Sequence, residues 1–317
     1  MINGHGDDAF RYDHISINFS TNISQHTDHS LLKAHLAGCF DLISNYPEPE
    51  AWTLERALAR RLGLDEACVL VTSGATEAIY LIAQAYAHLP YDIDQPTFSE
   101  YEDACRMFGL REGRGGLGWI CNPRNPDGHV YTEDELTRLV ADHELLVIDQ
   151  AYERYTCKAV CHVPTAVTLH SLTKDYAVPG LRIGYVTAPA PVVEYLRRYI
   201  RPWSVNALAI EAALFLLEHD ELLMRPDLDE AQRLNRRLNG LRGITALPTD
   251  TNFMLCRLEH HTAAEVKDHL ARRHGMLIRD ASNFRGLDEH YFRVAAQLPE
   301  ENDLLVDVLS SSHFMQK

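Results

Sequence analysis

Ser171-Leu172-Thr173-Lys174-Asp175-Tyr176-Ala177-Val178-Pro179-Gly180-Leu181-Arg182-Ile183-Gly184-Tyr185 is the stretch on which the reading of this chain turns. A lysine among apolar residues, followed eight positions on by an arginine, suits neither a core strand nor a solvated helix face. Pro179-Gly180 forces a turn between the two. Desolvation and a nearby cation lower a lysine's pKa, and the neutral amine is the form that attacks a carbonyl carbon to make a Schiff base. Arg182 offers a bidentate fork to a phosphate. Taken alone, Ser-x-x-Lys is an ordinary solvated loop lysine, so its meaning depends on what the other segments bring to it.

Upstream, Ala67–Thr72 reads as a strand running into Ser73-Gly74-Ala75-Thr76-Glu77 and then a helix over 78–87. A strand, a small-residue turn and a helix make a phosphate cradle from backbone N–H groups and the helix dipole. An N-cap by Ser73 or Thr76 is the alternative, and a Walker loop is excluded because Gly-Lys-Ser/Thr is absent. Pro96-Thr97-Phe98 presents an aromatic that can lie against a planar ring or fill the core. The strand 117–120 leads into Asn122-Pro123-Arg124-Asn125-Pro126-Asp127-Gly128, a tight turn that can aim the Asn125 amide inward. The apolar run 145–148 reads as a buried parallel strand ending in Asp149-Gln150-Ala151-Tyr152. A carboxylate at the carboxyl end of a central strand is where an open α/β sheet keeps its ligand chemistry. The strand 167–171 then delivers Lys174.

Composition sets outer limits. At 317 residues the chain exceeds one compact core, so a large and a small domain are expected. The formal net charge of -15 argues against nucleic-acid or anionic-membrane binding, so an anionic ligand must be held by local arginines. No apolar run approaches the roughly 20 residues of a membrane span, and the first residues lack the basic and apolar regions of a signal peptide. Seven scattered cysteines without a Cys-x-x-Cys pair fit reduced thiols in a cytoplasm. Neither Cys157/Cys161 nor the seventeen histidines are read as a ligand set, and no metal is expected.

The order of Gly-Ala-Thr-Glu at 74, Asn-Pro-x-Asn-Pro-x-Gly at 122, Asp-x-Ala-Tyr at 149, Ser-x-x-Lys at 171 and Pro-Gly-Leu-Arg-x-Gly-Tyr at 179 resembles the fold-type I pyridoxal-phosphate enzymes, and within them the histidinol-phosphate aminotransferase group. A likeness to the threonine-phosphate decarboxylases extends nearly end to end. It runs through Asn18–Ile23, Tyr46-Pro47-Glu48-Pro49, Pro202–Ala207, Ile278-Arg279 and Asn283–Ala295.

The resemblance implies an α/β fold: a large domain (29–205) whose mostly parallel sheet is sandwiched by helices, and a smaller α+β domain (206–317) joined by an amino-terminal arm (1–28). It implies pyridoxal 5′-phosphate as cofactor, with Lys174 as the Schiff-base lysine and Asp149 paired with the protonated pyridine nitrogen. Asn125 and Tyr152 would bond the ring's phenolic oxygen and Phe98 would stack on the ring. Gly74, Ala75, Thr76, Ser171 and Arg182 would hold the cofactor phosphate, joined by Tyr46 from a neighbouring subunit in a homodimer with a shared active site. Arg293 would take the substrate α-carboxylate, with His5, Asn22 and Arg279 completing a site for a small phosphorylated amino acid.

The activity implied is decarboxylation of L-threonine O-3-phosphate to aminopropanol phosphate for cobalamin synthesis, with histidinol-phosphate aminotransferase chemistry as the alternative. The two differ in which substrate bond stands perpendicular to the ring plane, the carboxylate or the Cα hydrogen. Some positions depart from the family pattern. Only 23 residues separate Phe98 from Asn122, roughly half the usual length, so a trimmed sheet edge is expected. Asp127, Gln150 and Ala296-Gln297 stand where Thr, Glu and a second Arg are usual.

Overall fold

The computed structural model describes residues 6–311, so His5 lies outside the described residues. The chain opens with the short strand β1 (Ile17–Asn18), then α1 (Ser30–Ala37) and α2 (Trp52–Leu62). β2 (Val69–Thr72), α3 (Gly74–Ala85), β3 (Tyr91–Ile93), α4 (Glu100–Met107) and β4 (Leu117–Cys121) follow. Next come α5 (Glu133–Asp142), β5 (Leu145–Asp149), β6 (Val167–His170), α6 (Leu172–Asp175), β7 (Gly184–Thr187), α7 (Ala190–Arg197) and α8 (Ala207–Leu217). α9 (Leu228–Asn239), β8 (Ile244–Ala246), β9 (Phe253–Leu258), α10 (Ala263–His274), β10 (Met276–Leu277), β11 (Arg279–Asp280), β12 (Tyr291–Ala295) and α11 (Pro299–Ser311) complete it.

Six strands form the larger sheet in the order β2-β7-β6-β5-β4-β3. β3 to β6 run parallel, while β7 is antiparallel to both of its neighbours. The central strands are buried along their whole length, as a sheet covered on both faces requires. One face carries Leu70, Trp119, Val147 and Leu169 against α3, α4 and α7; toward the β2 edge the other carries Val69, Val71 and Tyr185 against α2 and α8. Register aligns Cys121 with Asp149 and Asp149 with Leu169. The carboxyl ends of β4, β5 and β6 therefore open side by side, and the turns after them converge.

The short 99–116 segment is one helix and a return. α4 buries Tyr101, Ala104 and Cys105 on the sheet. The glycine-rich turn then folds along β3, with the Tyr91 N–H donating to the Arg111 carbonyl and the Gly113 N–H to that of Tyr91. A Cβ on Gly116 would lie 2.2 Å from the Pro90 carbonyl oxygen, so only glycine lets the turn pass this close. The sheet ends at a three-residue strand that this turn covers, which protects an edge from pairing elsewhere.

The smaller sheet, β11-β12-β9-β8, is antiparallel and packs against α9, α10 and α11. β1 pairs in parallel with β10, and the Ala295 N–H donates to the Phe19 carbonyl, so the amino-terminal arm is built into this smaller unit. α8 buries Ala209, Ala212, Ala213 and Leu216 in the core of α2, β2 and β7. Packing thus groups α8 with the larger unit. We place the division after α8 rather than at residue 206, because a helix's partners and not its distance along the chain decide its domain.

Candidate active site

Gly74 begins α3 with φ +77°, a conformation glycine adopts without strain. The same position faces a cation: a Cβ there would lie 2.7 Å from a guanidinium nitrogen of Arg182, so glycine leaves the space in which Arg182 lies against the helix start. Ser73 makes no side-chain cap; its N–H donates instead to Glu77 at 2.5 Å. The capping alternative therefore does not account for this turn. The first N–H groups of α3 lack intrahelical acceptors and carry the positive end of the helix dipole. With Arg182 and the buried Ser171 beside them, they form an anion cradle.

At the opposite wall, the Tyr101 hydroxyl donates to one oxygen of Asp149 at 2.7 Å, and the Ala151 N–H to the other at 2.9 Å. Burial raises the Asp149 pKa above the ordinary carboxylate value; these two hydrogen bonds and the His170 and Lys174 charges pull the other way. Burial likewise keeps the Tyr101 phenol well above its usual range, so it stays a donor. Tyr101 is held by Trp119, stacked at 5.3 Å, and meets Phe98 edge-on at 5.8 Å. Lys174, in the short α6, extends its Nζ over the Tyr152 ring, 5.6 Å from the centroid. Its backbone is anchored through its carbonyl, which accepts from the Tyr155 hydroxyl at 2.7 Å.

The smaller sheet supplies the third wall. Arg293 on β12 donates to the Asn125 side-chain oxygen and, at 2.5 Å, to the Ser20 carbonyl. The Asn125 oxygen is thus taken by Arg293, and its NH₂ is the group left to donate into the cleft. Arg279 donates to Asn283 at 2.7 Å and lies over the Phe284 ring. Burial lowers the pKa of both arginines to about 10, and for Arg279 the neighbouring charge of Arg293 adds to it; both remain cationic at neutral pH. Neither amide atom of buried Asn22 has a partner, nor does Arg293 Nε. Buried polar groups are normally satisfied, so these atoms remain available to a ligand in the cleft.

These walls enclose a cleft of about 260 Å³. Ala75, Thr76, Phe98, Asn125, Asp149 and Tyr152 line it, as do Ser171, Lys174, Arg182, Asn22, Arg279 and Arg293; Gly74 lies directly behind Arg182. Tyr46 does not reach the cleft of its own chain: it is 85% exposed and tilts against Trp203 at 5.3 Å. A larger cavity of about 770 Å³ opens behind the same strand ends, but it meets none of Lys174, Asp149 or Arg293. Sequence reasoning passed over Tyr101, Ser20, Asn283 and Cys121, all at the cleft or bonded to its arginines. Only Tyr101 carried a signal, one helical turn after Phe98.

The departures have local partners. Asp127 accepts from two nitrogens of Arg124, whose third nitrogen reaches Asp94 at 3.1 Å, so an ion-pair clamp closes the turn that presents Asn125. Gln150 points away, donating to the Cys161 carbonyl. No second arginine follows Arg293; Arg279, directly across the strand pair, is the nearby cation.

A glycine cradle at a helix start, a buried carboxylate, a lysine over an aromatic ring and unsatisfied amide and guanidinium nitrogens fit a planar, phosphorylated aldehyde cofactor. The sequence profile described as "Aminotransferase class I and II" matches residues 14–111 and 116–309. L-threonine-O-3-phosphate decarboxylase from Porphyromonas gingivalis superposes with a TM-score of 0.90 at 38% identity, covering 95% of this chain and 100% of that one. Threonine-phosphate decarboxylase from Salmonella typhimurium is 30% identical over 92% of this chain and 90% of its own length. Histidinol-phosphate aminotransferase from Caldanaerobacter subterraneus subsp. tengcongensis is 28% identical, over 84% of each. The chain belongs to the class I and II aminotransferase family, with the fold-type I transferase fold and pyridoxal 5′-phosphate as its cofactor.

Proposed function

We propose that this protein decarboxylates L-threonine O-3-phosphate to (R)-1-aminopropan-2-ol O-phosphate for cobalamin synthesis, as a cytoplasmic homodimer. The observation that carries the reading is the pair of buried arginines, Arg279 and Arg293, on one wall of the cleft. Two cations held together with no ion-pair partner among the described residues suit a substrate that presents two anionic groups, here an α-carboxylate and a phosphate. The likeness to decarboxylases of this name, at 30–38% identity, supports the same substrate.

Bound in the cleft, the cofactor supplies an electron sink for the bond that breaks at the substrate α-carbon. In this reading the first turn of α3, Ser171 and Arg182 hold its phosphate, with Gly74 leaving room for Arg182. Asp149, oriented by Tyr101 and the Ala151 N–H, would pair with the ring nitrogen. The Asn125 NH₂ and the Tyr152 hydroxyl would serve the phenolic oxygen, and Phe98 would pack on the ring. Lys174 would provide the amine that carries the cofactor and, when free as the ammonium, would deliver a proton to the α-carbon in place of the carboxylate lost as carbon dioxide. Arg293 binds the carboxylate, and Arg279 with Asn22 and His5 binds the substrate phosphate.

The dimer reading rests on an exposed apolar surface. Phe40, Ile43, Tyr46, Trp52 and Trp203 all show large side chains to solvent. Exposed apolar side chains of this kind suit an association surface, and in this reading Tyr46, packed on Trp203, would reach a neighbour's cradle. No helix among the described residues is long and apolar enough to cross a membrane.

Transamination is the competing outcome on the same cleft, favoured by the likeness to histidinol-phosphate aminotransferases. Assaying carbon dioxide release from threonine phosphate beside 2-oxoglutarate consumption with histidinol phosphate separates the two. Stoichiometric carbon dioxide without 2-oxoglutarate use is expected, and turnover of histidinol phosphate alone overturns the proposal.

A further inference from the structure

We propose that His35, Cys39 and Glu211 form a binding site for a divalent cation of the zinc class, away from the catalytic cleft. His35 lies in the last turn of α1, and Cys39 follows one helical turn later, just beyond Gly38. A spacing of four residues places imidazole and thiol on one side of the chain. The third donor comes from α8, which packs on α1 from 172 or more residues further along.

The donor atoms converge. His35 Nε2 is 2.8 Å from Glu211 Oε1, Cys39 Sγ is 3.8 Å from His35 Nε2, and Sγ is 3.9 Å from the same Glu211 oxygen. Tetrahedral zinc with ordinary bond lengths holds such donors about 3.3–3.6 Å apart. Shifts of about half an ångström or less bring all three to that spacing. A hydrogen bond accounts for the short His–Glu contact; an ion would widen it and draw the sulfur in.

The chemistry and the surroundings agree with this. Thiolate plus carboxylate neutralises a divalent charge while imidazole stays neutral, and a nitrogen–sulfur–oxygen set suits zinc better than magnesium or calcium. The His35 ring is stacked on Phe215 at 4.2 Å, with planes 20° apart, which fixes the direction of Nε2. All three residues are half-buried, so the fourth position is open to a water molecule. Among the described residues no other group of His, Cys, Asp and Glu brings its donors together in this way. The effect of binding would be to tie α1, which precedes the segment carrying Tyr46, to α8.

The test uses the full chain loaded with pyridoxal phosphate and stripped of metal. Titration with Zn²⁺ against a chromophoric chelator is expected to show one competing site per chain, with a dissociation constant of about 1 μM or tighter. Cys39→Ser and Glu211→Gln should each weaken it at least about tenfold, whereas Cys157→Ser, at an exposed thiol, should leave it unchanged. Co²⁺ in place of zinc should give a sulfur-to-metal charge-transfer absorption that Cys39→Ser removes. Affinity that stays the same in both folded variants, or a cobalt complex without that absorption, overturns the site. These readouts do not depend on turnover, so they stand or fall separately from the proposed reaction.

Discussion

Arg279 and Arg293 stand directly opposite one another on β11 and β12, each 5% exposed, and neither forms an ion pair among the described residues. Like charges placed across a strand pair repel, and burial adds the cost of desolvating both. The arrangement is unfavourable until an anion arrives. Arg279→Ala should therefore leave the ligand-free melting temperature unchanged or raised, while kcat/KM for threonine phosphate falls roughly 30- to 5,000-fold. Wild-type kcat/KM in this variant would remove Arg279 from the substrate site.

Lys174 sits at the meeting point of the three walls. Lys174→Ala should reduce turnover by at least the roughly 10²–10⁴-fold of a lost acid–base group, with the cofactor still bound through its phosphate. The absorption of a lysine-linked cofactor should vanish at the same time. A purified variant with full activity contradicts the whole account of the site.

The Tyr101 hydroxyl is the side-chain donor to the Oδ2 atom of Asp149. Removing it in Tyr101→Phe leaves a buried carboxylate short of one hydrogen bond, a loss of about 1–3 kcal/mol. Because that bond pulls the Asp149 pKa down, the acid limb of the activity profile should move to higher pH and cofactor affinity should fall. An unchanged pH profile would show that Tyr101 only packs.

Asp175, next to Lys174 in sequence but facing the larger cavity behind it, gives a pH dependence of stability. Burial, then the Glu153 charge, pushes its pKa up to about 8, against the opposing charges of Arg154 and Arg61. The folded state thus holds this proton more tightly than the unfolded chain, where the carboxyl titrates near 3.8. Its contribution is fully present below about pH 4 and is lost as pH rises toward about 8. Urea melts of wild type minus Asp175→Asn should show this falling slope across that window. A difference curve that is flat, or that rises with pH, contradicts the assignment.

If Tyr46 completes the neighbour's site, subunits defective in Lys174 and in Tyr46 should complement. A heterodimer of Lys174→Ala with Tyr46→Ala contains one intact site, so an equal, fully exchanged mixture should regain up to about a quarter of wild-type activity. Activity no greater than that of the separate variants would confine each site to one chain.

Local sequence was most legible where the backbone itself demanded a residue type. α2 ends at 62 and α10 at 274 because Gly63 and Gly275 take the left-handed conformation that stops a helix. α5 begins at 133 because Thr132 and Glu135 form a capping box. Element starts and cross-strand partners were harder. α3 starts at Gly74 rather than Ala78, and β7, β11 and β12 hold their places through pairing, which a local window does not contain.

The order of chemical motifs along the chain, and with it the family, the fold and the cofactor, was determined by sequence alone, since each motif is a turn or strand end with its own backbone requirement. Tertiary structure decided the rest: that Arg279 and Arg293 oppose each other, that Tyr101 orients Asp149, that α8 belongs with the larger sheet, and that Glu211 meets His35 and Cys39. Each of those relationships joins side chains on separate elements, and the distance between such side chains is set by strand register and helix packing, which no local run of residues encodes.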